Sequence, residues 1–218
     1  MAYNWKDTAK IVWAVLVGDL GEVATAGIMG NLILETAQSL RGFQKQGDYT
    51  QSRSASKNYT NEVSDKTISK DTFVHDSIGY GLAQWTFYTF KEDLYNYWSE
   101  ASTVSSIGNT KMQAQFLIWH LKNKYSGVYD NLLKADGVRD ATNIFLDQYE
   151  RPRDPEATRE QRYQYAVQAY EYCKGTTPDP DPPEPPEPPE PQPPTPSTRK
   201  PMSFIYWEKP YWRYPNIL

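Results

Sequence analysis

Over most of its first 175 positions the chain places apolar residues roughly every three to four positions, the period of helices that bury one face. Asn4 or Asp7 can cap a first helix reaching about Val17. Gly18 and Gly21 close it, and a second helix runs from about Glu22 to Ala37. Positions 42 to 59 are polar and rich in glycine and serine, which predicts a long surface loop. From Tyr59 to His75, β-branched and aromatic residues mix with charges, and a small β-hairpin or irregular flap is expected there. Helical spacing returns after Gly81, with Trp85, Phe87, Phe90, Leu94, Tyr97 and Trp98 carrying a third helix to about Ala101. Further helices follow over Met112 to Tyr125, Asp130 to Lys134, Asp140 to Tyr149 and Glu156 to Lys174. Arg151 precedes Pro152 and so marks a helix end. The expected fold is mainly α with a small flap.

The pattern stops at Thr176, beyond which fifteen of the seventeen prolines lie. The run from Pro182 to Glu190 repeats every three residues, the period of a polyproline II helix, and predicts a spacer of roughly 60 Å. Three segments result: a domain over 1–175, a Pro/Glu-rich linker over 176–199 and an aromatic C-terminal peptide over 200–218. The peptide carries Phe204, Tyr206, Trp207, Tyr211, Trp212 and Tyr214, is too short for a core, and is either solvated or docked on another protein.

With 218 residues, 39% of them hydrophobic, the chain can build one substantial core. A net charge of −4 offers no basic surface for nucleic acid. The single cysteine, Cys173, can make no internal disulfide, and with no histidine near it is a poor candidate nucleophile. His75 and His120 supply no metal-binding spacing, so neither a metal nor a cofactor is expected. The apolar run Ile11 to Val17 is far shorter than the roughly 20 residues of a membrane span. With Lys6, Lys10 and the Ala24-Thr25-Ala26 triplet it imitates a secretion signal. Cleavage after Ala26 would remove the start of the next helix, so the run reads as a core helix.

Candidate chemistry lies in two places. Ile28, Met29, Leu32, Ile33 and Leu34 keep one helix face buried, and Glu35 stands at its end, where partial burial favours a protonated carboxyl suited to general acid catalysis. Some forty residues on, Gly79-Tyr80-Gly81-Leu82-Ala83-Gln84-Trp85-Thr86 forms a glycine-spaced polar and aromatic turn. Its glycines allow close backbone approach. Gln84 can bond an acetamido group, and Tyr80 or Trp85 can stack on a sugar face, with Thr86 beside them. Glycoside hydrolysis commonly uses two carboxyl groups. Asp76 is the first choice for the second, with Asp71 and Asp65 behind it.

These residues carry a resemblance. Ala24 through Glu35, Asp76 through Thr86 and Tyr149-Glu150-Arg151-Pro152 resemble the phage tail lysozymes, muralytic domains of tail-tip proteins and some endolysins, over about residues 5 to 174. The resemblance implies a lysozyme-like helical fold and cleavage of the β-1,4 bond between N-acetylmuramic acid and N-acetylglucosamine, with Glu35 as proton donor. The implied partners are peptidoglycan glycan strands, with phage tail proteins as candidates for the C-terminal peptide and neither nucleic acid nor membrane involved. The implied location is the virion tail or the host wall, with no signal peptide. The turn also resembles the glycine-leucine-x-glutamine element of goose-type lysozymes and lytic transglycosylases. Two departures stand out: Glu35-Thr36-Ala37 replaces the usual Glu-Ser-Gly, and Phe87-Tyr88-Thr89-Phe90-Lys91 replaces a common arginine. A lytic transglycosylase of the same fold, and a non-catalytic wall-binding or tail module, remain alternatives.

Overall fold

The computed structural model describes residues 3–101 and 103–175, so the expected linker and aromatic C-terminal peptide lie outside the described residues. The apolar pattern folds into eight helices among the described residues: α1 (Lys6–Glu35), α2 (Ser54–Ser64), α3 (Lys70–His75), α4 (Tyr88–Glu100), α5 (Thr110–Lys124), α6 (Ser126–Leu133), α7 (Val138–Phe145) and α8 (Glu156–Cys173). A π-helical turn, Leu146–Glu150, extends α7. The mainly helical expectation holds.

The expected flap does not. Residues 59 to 75 form most of α2 and all of α3, and no strand occurs among the described residues. Ser56, Tyr59, Thr60 and Val63 are the buried positions of α2, spaced for one helix face, and Ser69 caps α3 by accepting from the Thr72 amide at 3.1 Å. Burial of a helical stripe here overrides the β propensity of the individual residues. Isolated antiparallel bridges join Lys45 to Tyr80 and Tyr80 to Trp85.

The first two expected helices are one interrupted element. Just before it, Asn4 Oδ1 accepts from the Lys6 amide at 3.0 Å. Gly21, at φ 72° and ψ 171°, occupies a region open to glycine and breaks α1 between 6–20 and 22–35. As a whole α1 is long and apolar enough to cross a membrane, with a mean hydropathy of 1.6 in its most apolar stretch. In this fold its apolar side chains are buried, among them Val12, Trp13, Leu16, Ile28, Met29 and Leu32, and it packs against α8, α7 and α5. The apolar run Ile11 to Val17 understates that length because helix resumes directly after the break at Gly21.

Small residues set how closely the helices approach. A Cβ on Gly27 would meet Ala141 of α7 at 2.6 Å, and one on Gly30 would lie 2.3 Å from the Arg162 carbonyl oxygen of α8. This close packing carries Arg162 over the C-terminal end of α1. On α8, Arg162 shares the buried face with Ala166, Ala169 and Cys173. Cys173 itself is fully buried, and burial pushes its thiol up to about 11.

Candidate active site

Glu35 ends α1 with its side chain 21% exposed, and Arg162 Nη2 donates to its Oε1 at 2.5 Å. Arg162 Nη1 donates to Asn31 Oδ1 at 3.0 Å. Asn31 in turn donates to the carbonyls of Gly27 and Thr142 at 2.9 and 3.1 Å, so the guanidinium is fixed by side chains from α1 and by α7. A second carboxyl, Glu150, faces this pair from the end of the π-helical turn. Its Oε1 is buried without a hydrogen-bond partner among the described residues. Burial, and then the negative charge of Glu35, raise the Glu150 carboxyl well above the usual range, with Arg162 opposing them. Two carboxyls and one guanidinium therefore meet at the end of α1, with Glu150 biased toward its protonated form.

The chain leaves α1 through a tight turn without the glycine expected of it. Ala37, Gln38 and Leu40 take φ values of 47°, 63° and 48°, left-handed conformations that cost non-glycine residues of order 1–3 kcal/mol each. The Thr36 hydroxyl stabilises the turn by donating to the Leu32 carbonyl at 2.7 Å and accepting from the Leu40 amide at 2.8 Å. Arg53 adds a clamp, donating to the Ala37 and Asp48 carbonyls. Asp48 itself, though burial opposes it, accepts from Thr50 and Ser56 and is drawn down to about 2.

From this exit, hydrogen bonds lead to the glycine turn. Ser39 Oγ bridges the Thr36 carbonyl and Gln44 Oε1. The Gln44 carbonyl accepts from the Gly81 amide at 2.8 Å and from Gln84 Nε2 at 3.1 Å. Gly81, at φ 82°, sits where a Cβ would come within 2.5 Å of Gln113 Oε1, which accepts from the Leu82 amide. Gln113 thus ties the turn to α5. The second connection runs through Trp85, whose Nε1 donates at 3.0 Å to the hydroxyl of Tyr149, the neighbour of Glu150. The Tyr149 hydroxyl shares a 2.8 Å hydrogen bond with His120 Nδ1, and His120 Nε2 faces Asp93 at 3.6 Å. Burial, with Lys124 adding to it, lowers His120 to about 4 and keeps the ring neutral.

The turn residues differ in what they present. Gln84 is half-buried, its Nε2 donating to the Gln44 and Gly81 carbonyls, while its Oε1 has no donor among the described residues. Thr86 is exposed. Tyr80 and Trp85, by contrast, lie in the core at 0% and 2% exposure. Tyr80 shares a 2.8 Å hydroxyl contact with Thr60, and Trp85 packs edge-on to Phe116, so neither offers a ring face to a sugar. Asp76, expected as the second carboxyl, has another occupation. It accepts from the Lys91 ammonium, the Tyr59 hydroxyl and, at 2.9 Å, the Ile78 amide, with Lys91 fully buried and Asp76 14% exposed. Asp71 is 91% exposed, and Asp65 is exposed and accepts from the Thr67 amide.

The model of the phage tail lysozyme family matches residues 7–173. The chain belongs to that family. No curated protein and no solved structure matches it. Membership of the phage tail lysozymes gives it a lysozyme-like action on peptidoglycan, and the matched span contains every residue of the Glu35 cluster. Sequence reasoning missed Arg162 and Asn31 and carried Glu150 only as part of the Tyr149–Pro152 motif. An arginine on the apolar stripe of α8 was the available signal, because a cation placed there needs a buried anion. The Tyr149–Pro152 motif does end the helix, with Arg151 at φ 49°, but Arg151 Nε donates to the Gln148 carbonyl, and no ion pair joins it to Glu150 among the described residues.

Proposed function

We propose that the protein is a peptidoglycan N-acetylmuramidase, with Glu35 donating a proton to the glycosidic oxygen between N-acetylmuramic acid and N-acetylglucosamine. The observation that carries this reading is a partly exposed carboxyl backed by Arg162 and faced by a second carboxyl that burial and the Glu35 charge raise well above the usual range. Glu35 is the member of the cluster at the solvent boundary, the one proton that Glu150 helps to keep within the carboxyl pair leaves through it to the glycosidic oxygen, and Arg162 holds Glu35 in place. As the bond to the leaving oxygen breaks, water adds to the anomeric carbon and loses a proton to the carboxylate left behind. Gln84 Oε1 accepts from an acetamido N–H of the bound strand.

A second reading keeps the donor and changes the acceptor. With Asp76 bound to Lys91 and Tyr59, the first-choice second carboxyl is not free to activate water. This favours a lytic transglycosylase, in which the muramic 6-hydroxyl attacks instead. In either case the site of action is the host wall, reached from the virion or after release.

Replacing Glu35 by Gln tests both readings. Clearing of purified Gram-positive walls is expected to fall about 10²–10⁴-fold, and clearing at the wild-type rate would refute the assignment. Mass spectrometry of wild-type products separates the readings: hydrolysis leaves a reducing end, whereas transglycosylation gives an anhydro product lighter by one water.

A further inference from the structure

The segment where this chain departs from its family forms a depression of its own. A cavity of about 370 Å³ lies between the end of α3 and the start of α4, lined by Val74, His75, Ser77, Thr86, Phe87 and Tyr88. Phe87 and Tyr88 are 62% and 49% exposed, whereas Leu94, Tyr95 and Trp98 further along α4 are buried. The two exposed rings lie 4.8 Å apart, and His75 stacks almost parallel to Tyr88 at 6.0 Å and 14°. Exposed aromatic faces placed side by side are uncommon on a surface that binds nothing.

We propose that this depression is a subsite for one N-acetylated hexosamine ring of the glycan strand. The inference rests on the peptidoglycan reading and extends it. Three features select a sugar over an apolar peptide. The lining offers the rings of Phe87 and Tyr88, tilted 44° to each other, for the C–H face of a pyranose, and includes Ser77, Thr86 and His75, whose polar groups suit ring hydroxyls. The volume lies within the range of small-molecule sites. Thr86 also belongs to the glycine turn, its hydroxyl donating to the Gln84 carbonyl at 2.9 Å, so the depression adjoins the turn that carries Gln84.

The buried ion pair gives the subsite its rigidity. Asp76 accepts from the Ile78 amide while Lys91, from α4, donates to the Ile78 carbonyl at 3.1 Å, so both polar groups of the Ile78 backbone are held. The wall carrying Ser77 is thereby fixed against the helix that presents Tyr88. A preformed pocket binds without the cost of ordering its walls.

The test uses the full chain with Phe87 and Tyr88 both replaced by Ala, against a Tyr88→Trp variant, with the tetramer of N-acetylglucosamine as probe. Calorimetry in a Glu35→Gln background is expected to show about tenfold weaker tetramer binding for the double Ala variant and retained binding for Tyr88→Trp. In the active background, KM for soluble glycan fragments is expected to rise more than kcat falls. Unchanged tetramer affinity in the double variant, or loss of wall retention with tetramer affinity intact, overturns the proposal, the latter because the occupant is then not a sugar. If Glu35→Gln leaves lysis intact while the double variant still loses the tetramer, the subsite stands and the proton-donor assignment falls.

Discussion

Asp76 and Glu35 carry the same functional group, both stand out in the sequence as candidate acids, and end in opposite circumstances. Each meets one buried cation and keeps partial exposure, but Asp76 also accepts from the Tyr59 hydroxyl and the Ile78 amide, whereas Glu35 has a second carboxyl behind it. What separates them is written far away: Arg162 stands 127 residues from Glu35, and local spacing cannot report such a partner. Glu35 was legible because its apolar run was local. Asp76→Asn strands the Lys91 charge, and denaturant unfolding is expected to show a loss of about 3–5 kcal/mol. Pairing Asp76→Leu with Lys91→Met should recover most of it, since a well-packed apolar pair replaces a buried ion pair at little net cost. A purely catalytic Asp76 would instead leave stability unmoved and abolish activity.

At the level of elements, the packing of α1 explains why its glycines are not equivalent. A Cβ on Gly18 would meet nothing within 4 Å, while one on Gly30 would be driven into the Arg162 carbonyl. Gly18→Ala is expected to stabilise by about 0.5–1 kcal/mol through helix propensity, whereas Gly30→Ala is expected to cost about 3 kcal/mol or more, because backbone cannot yield as a side chain does. Thermal unfolding of the two variants should move in opposite directions, and a stable Gly30→Ala would show that α1 and α8 do not approach so closely. The same scale shows where reading the chain failed. The later helices followed from clear periodicity, but 59–75 presented β-branched residues whose helical burial became evident through Tyr59, Thr60 and Val63 packing inward. Trp85 reads from its neighbours as a turn residue open to a ligand. Its indole N–H reaches Tyr149 instead, a contact 64 residues away in sequence.

For the molecule as a whole, two buried groups pull stability in opposite directions with pH. His120 is lowered from the usual 6.5 to about 4, so the unfolded chain takes up a proton first as pH falls. That contribution is present above about 6.5 and is lost toward 4, amounting to about 3 kcal/mol across that interval. Glu150 is raised, so it costs nothing below the ordinary carboxylate range and destabilises increasingly as pH climbs above it. Between about pH 4.5 and 6.5 the slopes oppose each other. Melting temperatures of Glu150→Gln are expected to rise with pH more steeply than wild type, and those of His120→Asn to fall with pH. Parallel profiles for the three proteins would contradict the burial of both groups.

The chain's one sulfhydryl, Cys173, closes the last helix in a position that no reagent reaches and where the thiolate is scarce. An alkylating agent therefore finds its target only when the end of α8 leaves its packing. The rate of alkylation thus times the loosening of the helix that also carries Arg162.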